Sequence, residues 1–108
     1  MSNVQVSLHI VEAMNAQGTA VLVPSALPYG TPERIVSSGS SQASTLAAPA
    51  AGEVRNYVWR IANNGADHIN VAFAAAPTAT SGSPGVPAGT VQYFGVKVLS
   101  EKVAVINS

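Results

Sequence analysis

Apolar and polar residues alternate along much of this chain, in the period-of-two pattern that half-buried β-strands have. The pattern is clearest from Glu53 to Ala75. The apolar positions that share a face there are Tyr57, Trp59 and Ile61 in the first half and Ile69, Val71 and Phe73 in the second. Between them lies Asn63–Asp67, which is rich in residues that suit tight turns. We therefore expect an antiparallel hairpin that forms the core of the fold.

The rest of the chain adds further short strands. They are predicted over residues 4–11, 19–23, 33–38, 90–98 and 102–106. The second of these is expected to stop at Pro24, because proline lacks the N–H that a central strand needs. With six to eight short strands and no sustained helical periodicity, the sequence predicts an all-β fold. We expect an antiparallel β-sandwich or barrel, jelly-roll-like, in a single domain that covers residues 1–108.

The segments between these strands are predicted to be connections. They are a loop or hairpin connection over Glu12–Gly18, an irregular loop over Ser25–Thr31, an exposed loop or edge strand over 37–45 and a turn-rich segment over Leu46–Gly52. The segment Ala74–Gly89 carries three prolines, three glycines and no charge. Loops of this length inside compact domains are usually functional or disordered, so we expect a contact arm or a rim loop here.

Charge is scarce in this sequence. Only 9% of the 108 residues are charged, against about 25% in typical soluble domains, and five cations balance five anions. So few cations do not build the basic patch that nucleic-acid binding usually needs. A neutral surface of low charge gives little electrostatic resistance to association, which suits a subunit of an assembly.

The absence of cysteine, of a signal sequence and of a long apolar run excludes further classes of protein. The chain has no cysteine, which excludes disulfides and thiolate metal sites. Its first residues have no cationic segment followed by an apolar one, and no run of about 18 apolar residues occurs. We therefore expect neither a signal peptide nor a membrane span, and synthesis in a cytoplasm.

Two histidines are the first candidates for chemistry. His9 is on the polar side of the first strand, and His68 follows Asp67 at the start of a strand. A His–Asp pair can orient an imidazole for base catalysis or for a metal. Adjacent strand residues point to opposite faces, however, so a structural role is favoured. Two histidines without clustered carboxylates also supply too few ligands for a typical metal site.

Other catalytic patterns are weak. The acidic residues are Glu12, Glu33, Glu53, Asp67 and Glu101. Each is predicted at a strand end or turn, where a solvated charge is the ordinary explanation. No serine sits in a Gly-x-Ser-x-Gly context, and Gly82–Gly85 lacks the Lys-Ser/Thr and the helix of a phosphate loop. We predict no enzyme activity, no catalytic, cofactor-binding or metal residues and no cofactor.

The aromatic residues of the central run have two interpretations. Tyr57 and Trp59 would stack on sugar rings if they were exposed, but an alternating aromatic strand more often packs inward. We favour the core. Arg55 and Arg60 flank this face, and Arg60 is a candidate ion-pair partner for Glu53 or Asp67 of a neighbouring subunit.

The second half of the chain resembles small structural proteins of tailed bacteriophage particles. The resemblance covers roughly residues 53–108. It rests on the segments Val58–Gly65, Val71–Phe73, Ala76–Thr80, Val86–Thr90, the aromatic pair Tyr93-Phe94 and Lys102–Ile106. Short β-sandwich chains of this kind occur among head decoration, head-fibre, connector and tail components. The pattern marks strands and turns, so it assigns no functional residue.

This resemblance implies a non-enzymatic virion protein, most simply a capsid decoration (cement) subunit that binds the head lattice. The expected partners are the major capsid protein or other virion proteins and further copies of the chain, and closed symmetry is compatible with a trimer. Neither nucleic acid nor a membrane is an expected partner. The expected location is the virion, assembled in the host cytoplasm. The alternatives are a neck, tail or baseplate component and, in a different class, a carbohydrate-binding β-sandwich module.

Overall fold

A computed structural model describes residues 2–16, 19–52 and 56–108, with side-chain environments for these residues other than 11–27. Over these residues the chain forms eight β-strands and no α-helix. The strands are β1 (Asn3–Ala16), β2 (Thr19–Val36), β3 (Gln42–Ala43), β4 (Tyr57–Asn63), β5 (Ile69–Ala74), β6 (Gly85–Val86), β7 (Val91–Gly95) and β8 (Lys102–Asn107).

The strands form two antiparallel sheets of four. The first sheet has the order β2-β1-β4-β7 and the second has the order β3-β8-β5-β6. Apart from the adjacent pairs β1–β2 and β5–β6, consecutive strands alternate between the sheets, as in jelly-roll sandwiches. The predicted all-β fold is confirmed, with a two-sheet architecture consistent with a β-sandwich.

The core lies between the sheets and is built mainly from valine, isoleucine and one tryptophan. The side chains with no exposed surface include Val4, Val6, Leu8, Trp59, Ile61, Ile69, Val71, Val86, Val103 and Val105. Phe73 of the second sheet lies between two rings of the first, with its centroid 4.8 Å from that of Phe94 and 6.5 Å from that of Trp59. The predicted inward faces of 57–61 and 69–73 therefore meet across the sandwich.

The predicted hairpin over residues 53–75 is wrong, because β4 and β5 belong to different sheets. The buried Asn63 side chain stabilises the turn between these two strands. Its amide NH₂ donates to the carbonyls of Asp67 (2.8 Å) and Val86 (3.0 Å), and its side-chain oxygen accepts from the Gly65 N–H. A Cβ at Gly65 would come within 2.4 Å of the backbone of Ser2, so only glycine fits there. Residues typical of a hairpin turn thus form a connection between the sheets.

The predicted break at Pro24 and the predicted irregular loop over Ser25–Thr31 are also wrong. Of the two alternatives predicted over Glu12–Gly18, the hairpin connection is the one that the described residues form, because Glu12 to Ala16 pair with β2. β1 continues to Ala16, and β2 runs without interruption from Thr19 to Val36. The strand tolerates its prolines because β2 is at the edge of the sheet, where an N–H can be absent without breaking the ladder. Two register shifts against β1 also interrupt the pairing.

The remaining connections match the predictions in part. The 37–45 segment contains β3, an edge strand of the second sheet, as one of the two predicted alternatives. The long Ala74–Gly89 segment is less irregular than expected, because it contains β6, which pairs with β5, and a buried Ala79. The strand predicted over 90–98 ends at Gly95, and the last strand extends to Asn107.

Candidate interaction surface

A two-stranded arm projects from the first sheet. We define the arm as residues 11–16 of β1 and 19–24 of β2. These segments pair with each other, from Val11 opposite Pro24 to Ala16 opposite Thr19. The neighbouring strand β4 stops earlier, since its last register partner on β1 is Ile10. At about 3.3 Å per residue the arm continues for about 20 Å past the four-stranded sheet. The chain is accordingly elongated, with principal extents of 47, 29 and 24 Å.

The base of the arm exposes apolar side chains. Ile10 of β1 is 40% exposed and Tyr29 of β2 is 38% exposed. The ring of Tyr29 packs edge-on against that of Tyr57 of β4, with centroids 5.3 Å apart and an interplanar angle of 81°. By strand alternation these three residues continue the core-facing side of the first sheet. The apolar face of the sheet is therefore only partly covered where the arm begins.

The sequence of the arm and its base is almost uncharged. Between Val11 and Leu27 the only charged residue is Glu12. A two-stranded hairpin is marginally stable in water unless it packs against something else. A two-stranded extension with a single charged residue, next to exposed apolar side chains, is the arrangement that a contact with another subunit would complete.

The outer face of the first sheet carries a small polar groove of about 320 Å³. Its described lining residues are Gln5, Ser7, His9, Pro28, Pro32 and Arg60. Ser7 and His9 are buried, and the Ser7 Oγ is 2.9 Å from the His9 Nε2. That distance suits a hydrogen bond between a serine hydroxyl and an imidazole nitrogen. His9 thus lies on the polar side of β1, as predicted, in a buried hydrogen-bonded position.

Glu101 corrects the prediction that every acidic residue is solvated. Its side chain is 1% exposed and lies beside the core. One carboxylate oxygen accepts from the indole Nε1 of Trp59 at 2.8 Å, and the other accepts from the backbone N–H of Lys97 at 3.2 Å. The only tryptophan is therefore fixed at both ends, by apolar packing and by a buried acceptor. No short sequence motif predicts the contact between Trp59 and Glu101, because the two residues are 42 positions apart.

Glu33 is also bound rather than solvated. Its carboxylate accepts the backbone N–H groups of Thr45 and Leu46, each at 2.8 Å for the nearer oxygen. Glu33 belongs to the first sheet, and Thr45 follows the edge strand β3 of the second. The carboxylate therefore ties the two sheets together.

The other predicted candidates are dispersed. His68 is exposed, and the backbone of Asp67 forms hydrogen bonds with the hydroxyl of Ser2. The guanidinium of Arg60 lies 3.5 Å from the Gln5 Oε1, on the outer face of the sheet. Within 82–85, Ser83 closes a turn by accepting the Thr80 N–H. Glu53 and Arg55 lie outside the described residues, as does the side chain of Glu12.

Within 2–16, 19–52 and 56–108 no group of three His, Asp or Glu side chains is arranged to hold a metal ion. No helix in the same residues is long and apolar enough to span a bilayer.

The fold and the surface together define a β-sandwich with a projecting, largely uncharged two-stranded arm. Comparison of the chain with protein-family models, with curated proteins and with solved structures finds no match. The resemblance to phage structural proteins therefore stays a prediction from the sequence.

Proposed function

We propose that this chain is a non-enzymatic structural subunit of a virus particle, a decoration subunit that binds the head lattice of a tailed bacteriophage. The arm is the part that contacts the neighbouring shell subunits. Its partners are the major capsid protein and other proteins of the virion.

The observation that carries this proposal is the arm itself. β4 begins at Tyr57, opposite Ile10, so beyond Ile10 the described residues form a ribbon of two strands. Packing against a second surface supplies what a two-stranded ribbon lacks in water. Its open sides also offer main-chain donors and acceptors to a strand of a neighbouring protein, a mode of binding that needs no particular side chain.

The low charge of the whole chain supports the same function. A net charge of zero with five residues of each sign leaves little repulsion between copies. On a shell with many equivalent positions, contacts that are weak one at a time reinforce each other when subunits also touch their neighbours. A decoration subunit needs no deep cleft, and the polar groove on the described outer face is open.

The test is binding of the purified chain to expanded phage heads, compared with a variant whose arm is shortened. In the variant, residues 13–22 are replaced by Asn-Gly, so that a two-residue turn joins the paired positions Glu12 and Val23. We expect the full chain to remain on the heads after sedimentation and the shortened chain to be lost. The control is Val36→Asp, at the exposed opposite end of the same strand, which we expect to bind as the unmodified chain does.

The number of copies per head distinguishes the virion positions. A decoration subunit is retained in hundreds of copies, whereas a neck, tail or baseplate component is found in rings of about six or twelve. Failure of the full chain to bind heads contradicts the proposal. Equal binding by the shortened variant contradicts the role of the arm.

The carbohydrate-binding alternative would use Tyr57 or Trp59 as its stacking platform, and the second of these is buried. Trp59 has no exposed surface and donates its indole N–H to Glu101 within the protein. It therefore presents no face on which a sugar ring could stack. We expect blue-shifted, quencher-resistant emission from this tryptophan, and red-shifted emission would restore the alternative.

A further inference from the structure

The first sheet ends on β7, whose outer side has no neighbouring strand among the described residues. Hydrogen bonds at its two ends fix which groups face β4: the N–H of Asn63 donates to the carbonyl of Thr90 (2.9 Å), and the N–H of Val96 donates to the carbonyl of Tyr57 (3.1 Å). In an antiparallel ladder such bonds fall on every second residue. The even-numbered residues of β7 therefore bond to β4.

The odd-numbered residues point the other way. The backbone N–H and C=O groups of Val91, Tyr93 and Gly95 are directed to the open edge. The side chains of Val91 and Tyr93 are 43% and 53% exposed, and the Cα of Gly95 has open space beside it. No charged residue occurs from Ile69 to Val96. This edge thus has free main-chain groups, exposed apolar side chains and no charge.

The opposite edge of the same sheet differs in each respect. β2 carries Pro24, Pro28 and Pro32, which lack N–H groups, and the charged residue Arg34. Its pairing with β1 is interrupted by two register shifts. Prolines, charges and bulges are the devices by which natural edge strands avoid pairing with other chains. β2 has all three, and β7 has none of them within its five residues.

We propose that β7 pairs antiparallel with β7 of a second copy of this chain, about a two-fold axis at Tyr93. This pairing places Tyr93 opposite Tyr93 of the second copy and Val91 opposite Gly95 of the second copy. The two first sheets then form one continuous sheet of eight strands. The inference concerns a different surface from the arm and stands independently of the proposed function.

The register is what selects a second copy as the partner. With a two-fold axis at Tyr93, the outward-pointing N–H groups of each copy lie opposite the outward-pointing C=O groups of the other copy. Both copies therefore donate and accept the same hydrogen bonds. The small Gly95 leaves room for the branched Val91 across the pair, and no like charges meet. The contact is smaller than a standard interface of about 1,600 Å², so we expect a weak dimer that forms at high protein concentration.

Single cysteines test the register, because the chain has no cysteine of its own. Opposed residues in a hydrogen-bonded antiparallel pair have Cα atoms about 5.5 Å apart. In the proposed dimer the two copies of position 93 have this spacing, whereas the two copies of position 91 are four residues out of register, about 14 Å apart. With a thiol cross-linker too short for the longer distance, we expect Tyr93→Cys to give a covalent dimer and Val91→Cys to remain monomeric. Cross-linking of neither variant at about 1 mM protein, or of both equally, overturns the proposal.

Proline substitutions test the main-chain bonds. Tyr93→Pro removes an N–H that points to the open edge, and Arg34→Pro removes the equivalent N–H on the β2 edge. By sedimentation equilibrium we expect the unmodified chain and Arg34→Pro to approach twice the 10.9 kDa chain mass, and Tyr93→Pro to associate at least about ten-fold more weakly. Equal association of Tyr93→Pro and the unmodified chain overturns the proposal.

A charge pair keeps the proposal testable if Tyr93→Pro does not fold. Like charges directly opposite each other destabilise a strand pair, and opposite charges stabilise it. We expect Tyr93→Lys alone and Tyr93→Glu alone to be monomeric and their equimolar mixture to form a dimer. A mixture that stays monomeric overturns the two-fold register.

Discussion

The sandwich body and the arm belong to the same two strands but have opposite surroundings. Over residues 3–10, β1 pairs with β2 on one side and β4 on the other, and its inward side chains Val4, Val6 and Leu8 have no exposed surface. Over residues 11–16 it pairs with β2 alone. The body is therefore stabilised within one chain, whereas no third described strand pairs with the arm. The proposed function therefore assigns stability to the body and assembly to the arm, and the changes below test this separation.

The largest effect is expected in the body from Trp59→Ala. The substitution leaves a cavity between the sheets beside Phe73 and removes the N–H donor of the buried Glu101 carboxylate. We expect a loss of about 3–5 kcal/mol in the free energy of unfolding, measured by urea denaturation with circular dichroism. The matched control is Tyr93→Ala, an exposed aromatic residue, for which we expect a change of about 0.5 kcal/mol or less. Similar losses for both would mean that Trp59 is not the centre of the core.

Glu101→Ala is expected to have the second-largest effect. It leaves two donors, the Trp59 indole N–H and the Lys97 backbone N–H, without their acceptor. We expect a loss of about 2–3 kcal/mol, again from urea denaturation. Glu101→Gln keeps one side-chain acceptor oxygen and should lose less. A loss as large for Gln as for Ala would show that the negative charge, and not the acceptor, is what the body needs.

A smaller effect is expected at the boundary, from Tyr29→Ala. Its ring contacts Tyr57 edge-on and is otherwise 38% exposed. We expect a loss of about 1 kcal/mol in stability. Binding to heads should fall more than this loss in stability explains, because the exposed side of the ring belongs to the proposed contact. If a folded Tyr29→Ala chain bound heads as well as the unmodified chain, the base of the arm would not be part of the contact.

Shortening the arm is expected to have the smallest effect on stability. Replacing residues 13–22 by Asn-Gly removes only segments that pair with each other. We expect the free energy of unfolding to change by about 1 kcal/mol or less, since segments with few packed neighbours open at little cost. Calorimetry of the two chains measures this directly. A loss comparable to that of Trp59→Ala would contradict the separation of body and arm.

The faces of the strands could be predicted from the sequence, but their pairing could not. Alternation placed Trp59 and Ile61 inside, and both are buried. It could not show that β4 and β5 lie in different sheets, because Asn63–Asp67 has the composition of a hairpin turn while its side-chain bonds run to distant residues such as Ser2 and Val86. Local residue types determine that the chain turns, and the rest of the fold determines in which direction.

The hairpin connection between the first two strands is one of the predicted alternatives, but the length of the arm is not predicted, for a different reason. Pro24 suggests the end of a strand only if the strand is central, and edge position is a property of the whole sheet. The strand patterns over 4–11 and 19–23 are seven residues apart in the sequence, and only the folded chain shows that β1 extends to Ala16. Glu101 gave no signal in the sequence, because only the packing of β8 against β4 brings it to Trp59.

Hydrogen–deuterium exchange on the chain, free and bound to heads, tests the central claim most directly. In the free chain we expect the amides of residues 11–16 and 19–24 to exchange rapidly while those of β4 and β8 stay protected. On the particle, the exchange of the arm amides should slow by about 100-fold or more, with little change in β4 and β8. Arm amides that exchange at the same rate in both states would contradict the claim that the arm is the contact.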